Sequence, residues 1–335
     1  MEVKLALHSK GPNETEIFTV EACYPSFLIK EWVNFPEISH CFREVTPDGV
    51  ARQVQDNPAM PVLWPKAHGK MQGSEVFDST LSLEHQWEDC RDGVLSFTRN
   101  LKEQGLSKQL TNRLLEPWVM TTDVMTFTRE GIESFLKLRH PHAKIGHRDY
   151  AGPPENTPPL QTRWEDKVNL TFPAEYNIQQ LAIEMKAAMD ASNPTELEEG
   201  QWHLPFVEQK ELESAVIFDG SGRIAYDPLI KLSAARCAFT NDSKSIEQDL
   251  DGAAFLTKEH RWSPFEHQAQ MIDDEAELDL FRGYMEHDLS GKMSKGPAPS
   301  KGLTLRIDPA DGHWNLVSRN FNGCIQARAL LEEKS

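Results

Sequence analysis

The chain has 335 residues, 39% of them apolar and 26% charged, with eight tryptophans and sixteen phenylalanines. A disordered chain is poorer in large apolar groups, so a folded protein is expected, as one large domain or two ordinary ones. Lys and Arg total 35 against 52 Asp and Glu, a formal charge of −17, which excludes a protein that coats long nucleic acid but not one that holds a small anion on a few arginines.

No apolar run approaches the roughly 20 residues that span a bilayer, and Met1 to Lys10 lacks the apolar centre of a signal peptide. The five cysteines, Cys23, Cys41, Cys90, Cys237 and Cys324, are odd in number and far apart. They make neither a disulfide framework nor a zinc ribbon. A reduced, cytoplasmic protein with no membrane partner is expected.

Residues 15–24 alternate, with Ile17, Thr19, Glu21 and Cys23 on one face and Phe18, Val20, Ala22 and Tyr24 on the other, which predicts a strand ended by Pro25. Phe27, Leu28, Glu31 and Trp32 begin a helix that Pro36 interrupts. Residues 56–65 are Pro-rich and read as a structured loop. Between Leu81 and Gln104, the series Leu83, Trp87, Cys90, Val94, Phe97 and Leu101 steps by four and three and predicts a long helix, stopped by Gly105. That stripe is either core or a seam between subunits. A second helix carries Leu106, Leu110 and Leu114 and ends before Pro117. A third runs from Glu130 to Leu138, with Ile132, Phe135 and Leu136 inward.

Four prolines and a glycine between Ala151 and Pro159 exclude helix there. Ile178, Leu181, Ala182, Met185 and Met189 mark a fourth helix. Residues 208–228 read as a loop or hairpin around Gly220-Ser221-Gly222, and Leu229 to Ala238 as helix. Residues 271–316 are acidic, then rich in Gly, Ser, Lys and Pro, and predict a mobile excursion. A short helix is expected over Asn322–Glu333. No repeat of solenoid period is present. Helices outnumber strands, so the fold class is α+β.

The chain has no Gly-x-Gly-x-x-Gly, Walker loop, His-Glu-x-x-His or Gly-x-Ser-x-Gly. Two dense segments remain. In Ser263-Pro264-Phe265-Glu266-His267-Gln268, a Ser cap, a Pro at the first position and an early Glu suit a helix start. His267 there either contacts a ring cofactor or simply packs. In the other, Asn112-Arg113-Leu114-Leu115-Glu116-Pro117 is followed by Leu138-Arg139-His140-Pro141-His142. Arg113 sits in an otherwise apolar helix and Arg139 closes another. An arginine on a buried face needs an anion, either a carboxylate such as Glu116 or a bound phosphate. His140, His142 and His147 match no standard zinc spacing, so no metal is expected.

Together these segments resemble the flavin-dependent thymidylate synthases (ThyX), in particular a phage-type subgroup with circularly permuted segment order. Ile29-Lys30-Glu31-Trp32-Val33 stands at the start of the signature helix. Asp56-Asn57-Pro58-Ala59-Met60-Pro61 looks like the subgroup's Asp-Pro-Ala-Met-Pro loop. Gly105 to Gln109 with Asn112 to Pro117, Phe135 to Arg139, Trp202 to Phe206 and Leu232 to Ala238 are further similar blocks. So is Asn320 to Gly323 with Gln326 and Arg328. The Ser263 segment, first in the usual order, comes near the C-terminus. About half the chain is covered; 145–175, 208–228 and 271–316 read as family-foreign insertions in a single ThyX-like domain spanning 1–335.

The resemblance implies a twisted sheet flanked by long helices and a homotetramer with sites between subunits. It implies C5 one-carbon transfer to a deoxypyrimidine monophosphate, dUMP or dCMP, with 5,10-methylenetetrahydrofolate as carbon donor. FAD would supply the hydride and NADPH would reduce the flavin. By position, Arg113 matches the phosphate-binding arginine and Arg139 the catalytic arginine that binds and polarises the pyrimidine. Ser39 and Arg43 match substrate-binding residues. His267, Glu31 and Asn34 match cofactor-binding ones. Where the family has Arg-His-Arg, or Thr-His-Arg in the phage-type subgroup, this chain has Asn34-Phe35-Pro36. Three readings follow: a methylase or hydroxymethylase with a reshaped site, a thymidylate synthase compensated by His40 or Arg43, or a non-catalytic nucleotide-binding subunit. The last would lend Arg113 and Arg139 to an intact ThyX in a hetero-oligomer.

Overall fold

The computed structural model describes residues 1–43, 45–67, 75–77, 79–141, 174–214, 227–239, 245–271, 304–307, 314–318, 321–322 and 324–328. The Pro-rich break at 151–159 and most of the three stretches expected as insertions, 145–175, 208–228 and 271–316, lie outside these residues, as do His142 and His147.

In chain order, β1 (Glu2–Lys10) and β2 (Glu16–Pro25) lead to a 3-10 turn at Ser26–Leu28. The single helical turn α1 (Ile29–Trp32) and the edge strand β3 (Ser39–Phe42) follow. Next come α2 (Pro47–Asp56), α3 (Leu81–Glu103), α4 (Lys108–Arg113), β4 (Met120–Thr128), α5 (Arg129–Arg139) and α6 (Tyr176–Asp190). The remainder is β5 (Thr195–Glu196), β6 (Trp202–His203), α7 (Gln209–Ser214), α8 (Asp227–Ala238), α9 (Ile246–Lys258), β7 (Ala269–Met271), β8 (Thr304–Ile307), β9 (Trp314–Ser318), β10 (Phe321–Asn322) and β11 (Cys324–Gln326). The fold is α+β.

The central sheet has the order β3-β4-β2-β1-β5. It is antiparallel except for β5, which runs parallel to β1. The β1–β2 hairpin closes through Gly11 N donating to Thr15 O, with Glu14 held at φ 61 and Asn13 Oδ1 accepting from Thr15 N. β2 has the faces its alternation predicts. Phe18, Val20, Ala22 and Tyr24 join Met125 and Phe127 of β4, Ile132, Phe135 and Leu136 of α5, and Ile178, Leu181, Ala182 and Met185 of α6 in the main core. Each such large side chain contributes about 1.5–3 kcal/mol by leaving water. On the opposite face Ile17 meets Ala269, Met271 and Cys324 of the small sheet β11-β7-β6. Cys41 and Val124 meet α8 and α9 through Ala234, Cys237, Ala238 and Leu256.

Several expectations are corrected. In α3 the buried side chains are Leu95 and Thr98, with Trp87 and Val94 packed beside them; Cys90 is exposed and Phe97 is 56% exposed. The helix meets α2, α4 and Trp118 along a narrow strip, and none of the six side chains of the four-three stripe is fully buried. Of the leucines expected to line the second helix, Leu110 in α4 and Leu106 and Leu114 on either side of it are all exposed, because α4 has only six residues and docks through Thr111 and the following Leu115. Ser263 does not cap a helix. Ser263–Glu266 is a 3-10 turn without a side-chain cap. Residues 324–326 are strand, not helix, since Cys324, Ile325 and Gln326 pair with Met271, Gln270 and Ala269. Helical geometry is confined to Ala327 and Arg328 among the described residues there. Within 208–228, Gln209–Ser214 is helical, and within 271–316, β8 and β9 pair as strands.

Candidate functional site

Arg113 ends α4 beside a cavity of about 1120 Å³. The walls are set by hydrogen bonds across three segments. Ser26 Oγ donates to Glu116 O (2.6 Å) and Ser26 N to Val119 O (2.8 Å), fixing the Glu116–Trp118 turn against the end of β2. Trp87 Nε1 donates to Ala59 O (3.0 Å) and Trp118 Nε1 to Trp87 O (3.2 Å), which pins the Pro-rich loop to α3. Val62 N donates to Asn177 Oδ1 (2.9 Å), tying the same loop to α6. Phe27, Trp64 and Trp87 supply flat apolar surface; Lys30, Asn112, Arg113, Glu116, Glu175 and Asn177 supply polar groups. Arg113 is exposed and has no hydrogen bond or ion pair with another described residue. The expected burial of Arg113, with Glu116 as one possible partner, is therefore corrected.

Glu175 caps α6, its carboxylate accepting from Asn177 N and Ile178 N. Burial raises its pKa above the usual carboxylate value, and Glu31 adds a like charge nearby.

Arg139 is not among the described residues that line this cavity. Its Nη2 donates to Glu31 Oε2 at 2.9 Å, its guanidinium lies 5.8 Å over the Phe35 ring, and its Nε is enclosed without a hydrogen-bond partner. Phe35 packs edge-on against Phe135 at 5.3 Å. Phe35, 9% exposed, belongs to the main core. Lys30, beside Glu31 in sequence, lines the cavity. Asn34 is exposed and donates to Lys30 O at 3.2 Å, finishing α1.

The remaining expected residues lie on the opposite face of the sheet. Ser39 is 1% exposed and accepts from Gln326 Nε2 at 3.2 Å. Arg43 pairs with Glu21 at 2.8 Å and lies 4.8 Å over the Phe206 ring. It lines a cavity of about 540 Å³ with Arg236, Glu211 and Asp249, where Arg236 is itself bound to both acids. His267 is fully buried, with Nδ1 2.8 Å from Thr126 Oγ1. Burial pushes its pKa down to about 3, so the ring is neutral near pH 7.

A third cavity, about 420 Å³, is lined by His40, His260, Arg261, Trp262, Ser263 and Arg328 among others, with no carboxylate residue in its described wall. His40 Nδ1 is 2.8 Å from Asp123 Oδ2, which also accepts from Tyr24 OH at 2.7 Å.

Within one chain, the expected site residues therefore fall in three places. Sequence reasoning missed Lys30, Trp64, Asn177, Asp123 and His203. Asp123 carried a signal, being a lone acid in the otherwise uncharged strand Met120–Thr128; Lys30 and Asn177 carried none, since their roles depend on a loop distant in sequence. No group of three or more metal-binding side chains gathers among the described residues.

No protein-family model matches the chain. No curated protein is similar to it at a significant level. Among solved structures it is similar to the UMP/dUMP methylase PolB from Streptomyces cacaoi. The form bound with 5-Br UMP aligns at 13% identity over 56% of this chain and 87% of that one, with a TM-score of 0.38. The form bound with 5-Br dUMP aligns at 16% identity over 53% and 68%, with a TM-score of 0.36. Overlays this loose bear on neither the fold nor the activity of this chain.

Proposed function

We propose that this chain is a ThyX-like C5 one-carbon transferase that binds a deoxypyrimidine monophosphate, dUMP or dCMP, in the Arg113 cavity. One observation carries the reading: a guanidinium with no partner among the described residues, that of Arg113, lines a tryptophan-walled cavity of about 1120 Å³ with Lys30. A phosphate needs the cation, a pyrimidine suits the aromatic wall, and a pocket of this size accommodates a mononucleotide. The direction of the chemistry rests on the ThyX-like segments, in which Arg113 and Arg139 occupy the phosphate-binding and base-polarising positions. In this reading Glu31 holds Arg139 until substrate competes for it, and a homotetramer supplies the rest of each site.

The 420 Å³ cavity is the place this reading gives to the phosphates of a flavin nucleotide: His40, Arg261 and Arg328 line it and Trp262 adds a flat wall, although His40 is bound to Asp123 and Arg328 to Glu266, so the phosphates would have to compete with those acids. Those residues would hold FAD. When bound, the reduced flavin supplies the hydride, methylenetetrahydrofolate the carbon and NADPH the electrons that restore the flavin.

The second reading, a non-catalytic nucleotide-binding subunit, has one observation in its favour. Phe35 is committed to the core, and the two candidate substitutes, His40 and Arg43, are engaged by Asp123 and Glu21.

The test is to incubate the purified protein with FAD, NADPH and methylenetetrahydrofolate, giving it dUMP or dCMP separately, and to weigh the nucleotide. A gain of a methyl or hydroxymethyl group on one of them is expected. Nucleotide binding without a mass change would replace the first reading by the second, and no nucleotide binding would end both.

A further inference from the structure

Two of the helices end in the same turn but fill its key position differently. After α3, Gly105 N donates to Lys102 O and Leu106 N to Leu101 O, both at 3.0 Å, with Gly105 at φ 89. After α9, His260 N donates to Thr257 O (3.2 Å) and Arg261 N to Leu256 O (2.9 Å), with His260 at φ 54. Both are Schellman turns, in which the residue past the C-cap takes the left-handed conformation and is usually glycine. A residue with a Cβ is strained there.

The surroundings of the two positions differ as well. Gly105 lines none of the three cavities described above. His260 lines the 420 Å³ cavity, with its ring edge-on to Trp262 of the same wall at 6.1 Å. It is exposed and has no side-chain hydrogen bond or ion pair with another described residue. Other donors of that wall are engaged: Asp123 holds His40, Glu266 holds Arg328, and the Arg261 guanidinium lies 5.4 Å over the Phe255 ring. Histidine tolerates left-handed φ better than most residues, and the edge contact with Trp262 offsets part of the strain. Glycine would avoid the strain altogether, as it does after α3. What glycine cannot supply is an imidazole on the cavity wall.

We propose that His260 is a ligand-binding residue of the 420 Å³ cavity, where its ring N–H donates to a phosphate oxygen of the bound molecule. With His40 and Arg328 held by acids, a phosphate in this place depends chiefly on His260 and Arg261. The negative end of the α9 dipole opposes an anion here. The turn, however, already bonds two of the end carbonyls, and Arg261 sets a full positive charge against the partial negative one. Only the naming of FAD as the bound molecule rests on the activity proposed above.

The experiment is calorimetric titration of the full-length protein, unaltered and as His260→Gly and His260→Ala, with urea unfolding of all three. The ligands are FAD, inorganic pyrophosphate, and riboflavin, which carries the flavin ring without a phosphate. Both variants are expected to bind FAD and pyrophosphate about tenfold or more weakly, the worth of one charge-assisted hydrogen bond. His260→Gly should nonetheless unfold at a higher urea concentration than His260→Ala, because only glycine takes this φ without strain. A weakening seen with pyrophosphate alone would keep the phosphate contact and end the assignment of the cavity to flavin. Unchanged affinity for both phosphate ligands in the two folded variants would overturn the proposal. So would an unaltered protein that binds neither, a riboflavin affinity that falls as far as that of FAD, or a His260→Gly variant less stable than His260→Ala.

Discussion

Arg113 and Arg139 both close helices, yet the first lines a cavity with no partner among the described residues and the second is tied to Glu31. The difference sets distinct expectations. Arg113→Ala should leave stability almost unchanged, since no described contact is lost, while weakening dUMP or dCMP binding about ten- to a hundredfold, the worth of a charge-assisted hydrogen bond. Calorimetric titration of the nucleotide checks this, and equal affinity in the variant would remove Arg113 from the site. Asp123 presents the opposite case. It is fully buried and takes hydrogen bonds from Tyr24 OH and His40, so its role is visible in stability. Tyr24→Phe should cost about 1 kcal/mol, and Asp123→Ala about 2–4 kcal/mol because it removes the buried acceptor that Tyr24 OH and His40 share. Urea unfolding measures both.

At the level of elements, the supports of the cavity depend on helix ends more than on helix interiors. Glu175 caps α6 through two backbone N–H groups and holds the Asn177 amide that receives the Pro-rich loop. Glu175→Ala should therefore cost about 1–2 kcal/mol and also loosen the loop at Val62. Faster amide hydrogen exchange at Val62 in that variant is the specific readout, and unchanged exchange there would show the loop is held by other contacts. In contrast, Ser245→Ala breaks the capping box of α9, far from the loop, and should cost about 1 kcal/mol with no effect on Val62.

Elements were legible where one face is buried by one neighbour. The period of β2, α5 and α6 matches their buried faces because each packs on a continuous core. In α3 the four-three pattern is equally regular, yet only a strip of it is covered. Periodicity reports which face can be buried, and a contact with something else decides whether it is.

For the whole molecule, the buried histidines make stability depend on pH. His203 and His267 are pushed down to about 3, burial being the main cause, against about 6.5 in an unfolded chain. Burial also lowers His8. A folded pKa below the unfolded one means the unfolded chain binds more protons in between. The stabilisation is therefore complete above about pH 6.5 and is lost progressively as pH falls toward 3. Glu175, raised on folding, acts in the opposite direction: its contribution is present below the unfolded carboxylate pKa and lost as pH rises through its folded value. The urea midpoint should drop between pH 7 and pH 5, before most carboxylates titrate, and His203→Gln should flatten that slope. A midpoint constant over this window in the unaltered protein would contradict the burial of neutral histidines. No described helix is long and apolar enough to cross a membrane.

The sequence by itself determined the α+β class, β2 with its two faces, the inward residues of α5 and α6, and the Pro-rich loop after residue 56. These are local properties, written in periods of two and 3.6 and in the fixed φ of proline. Only the tertiary structure decided that residues 324–326 are strand, that Arg139 belongs to Glu31, and that Thr19, Thr126, His203 and His267 share one line of hydrogen bonds. Each joins residues distant in the chain, such as the 107 positions between Thr19 and Thr126. The meeting is fixed by strand register and packing, which no local pattern encodes.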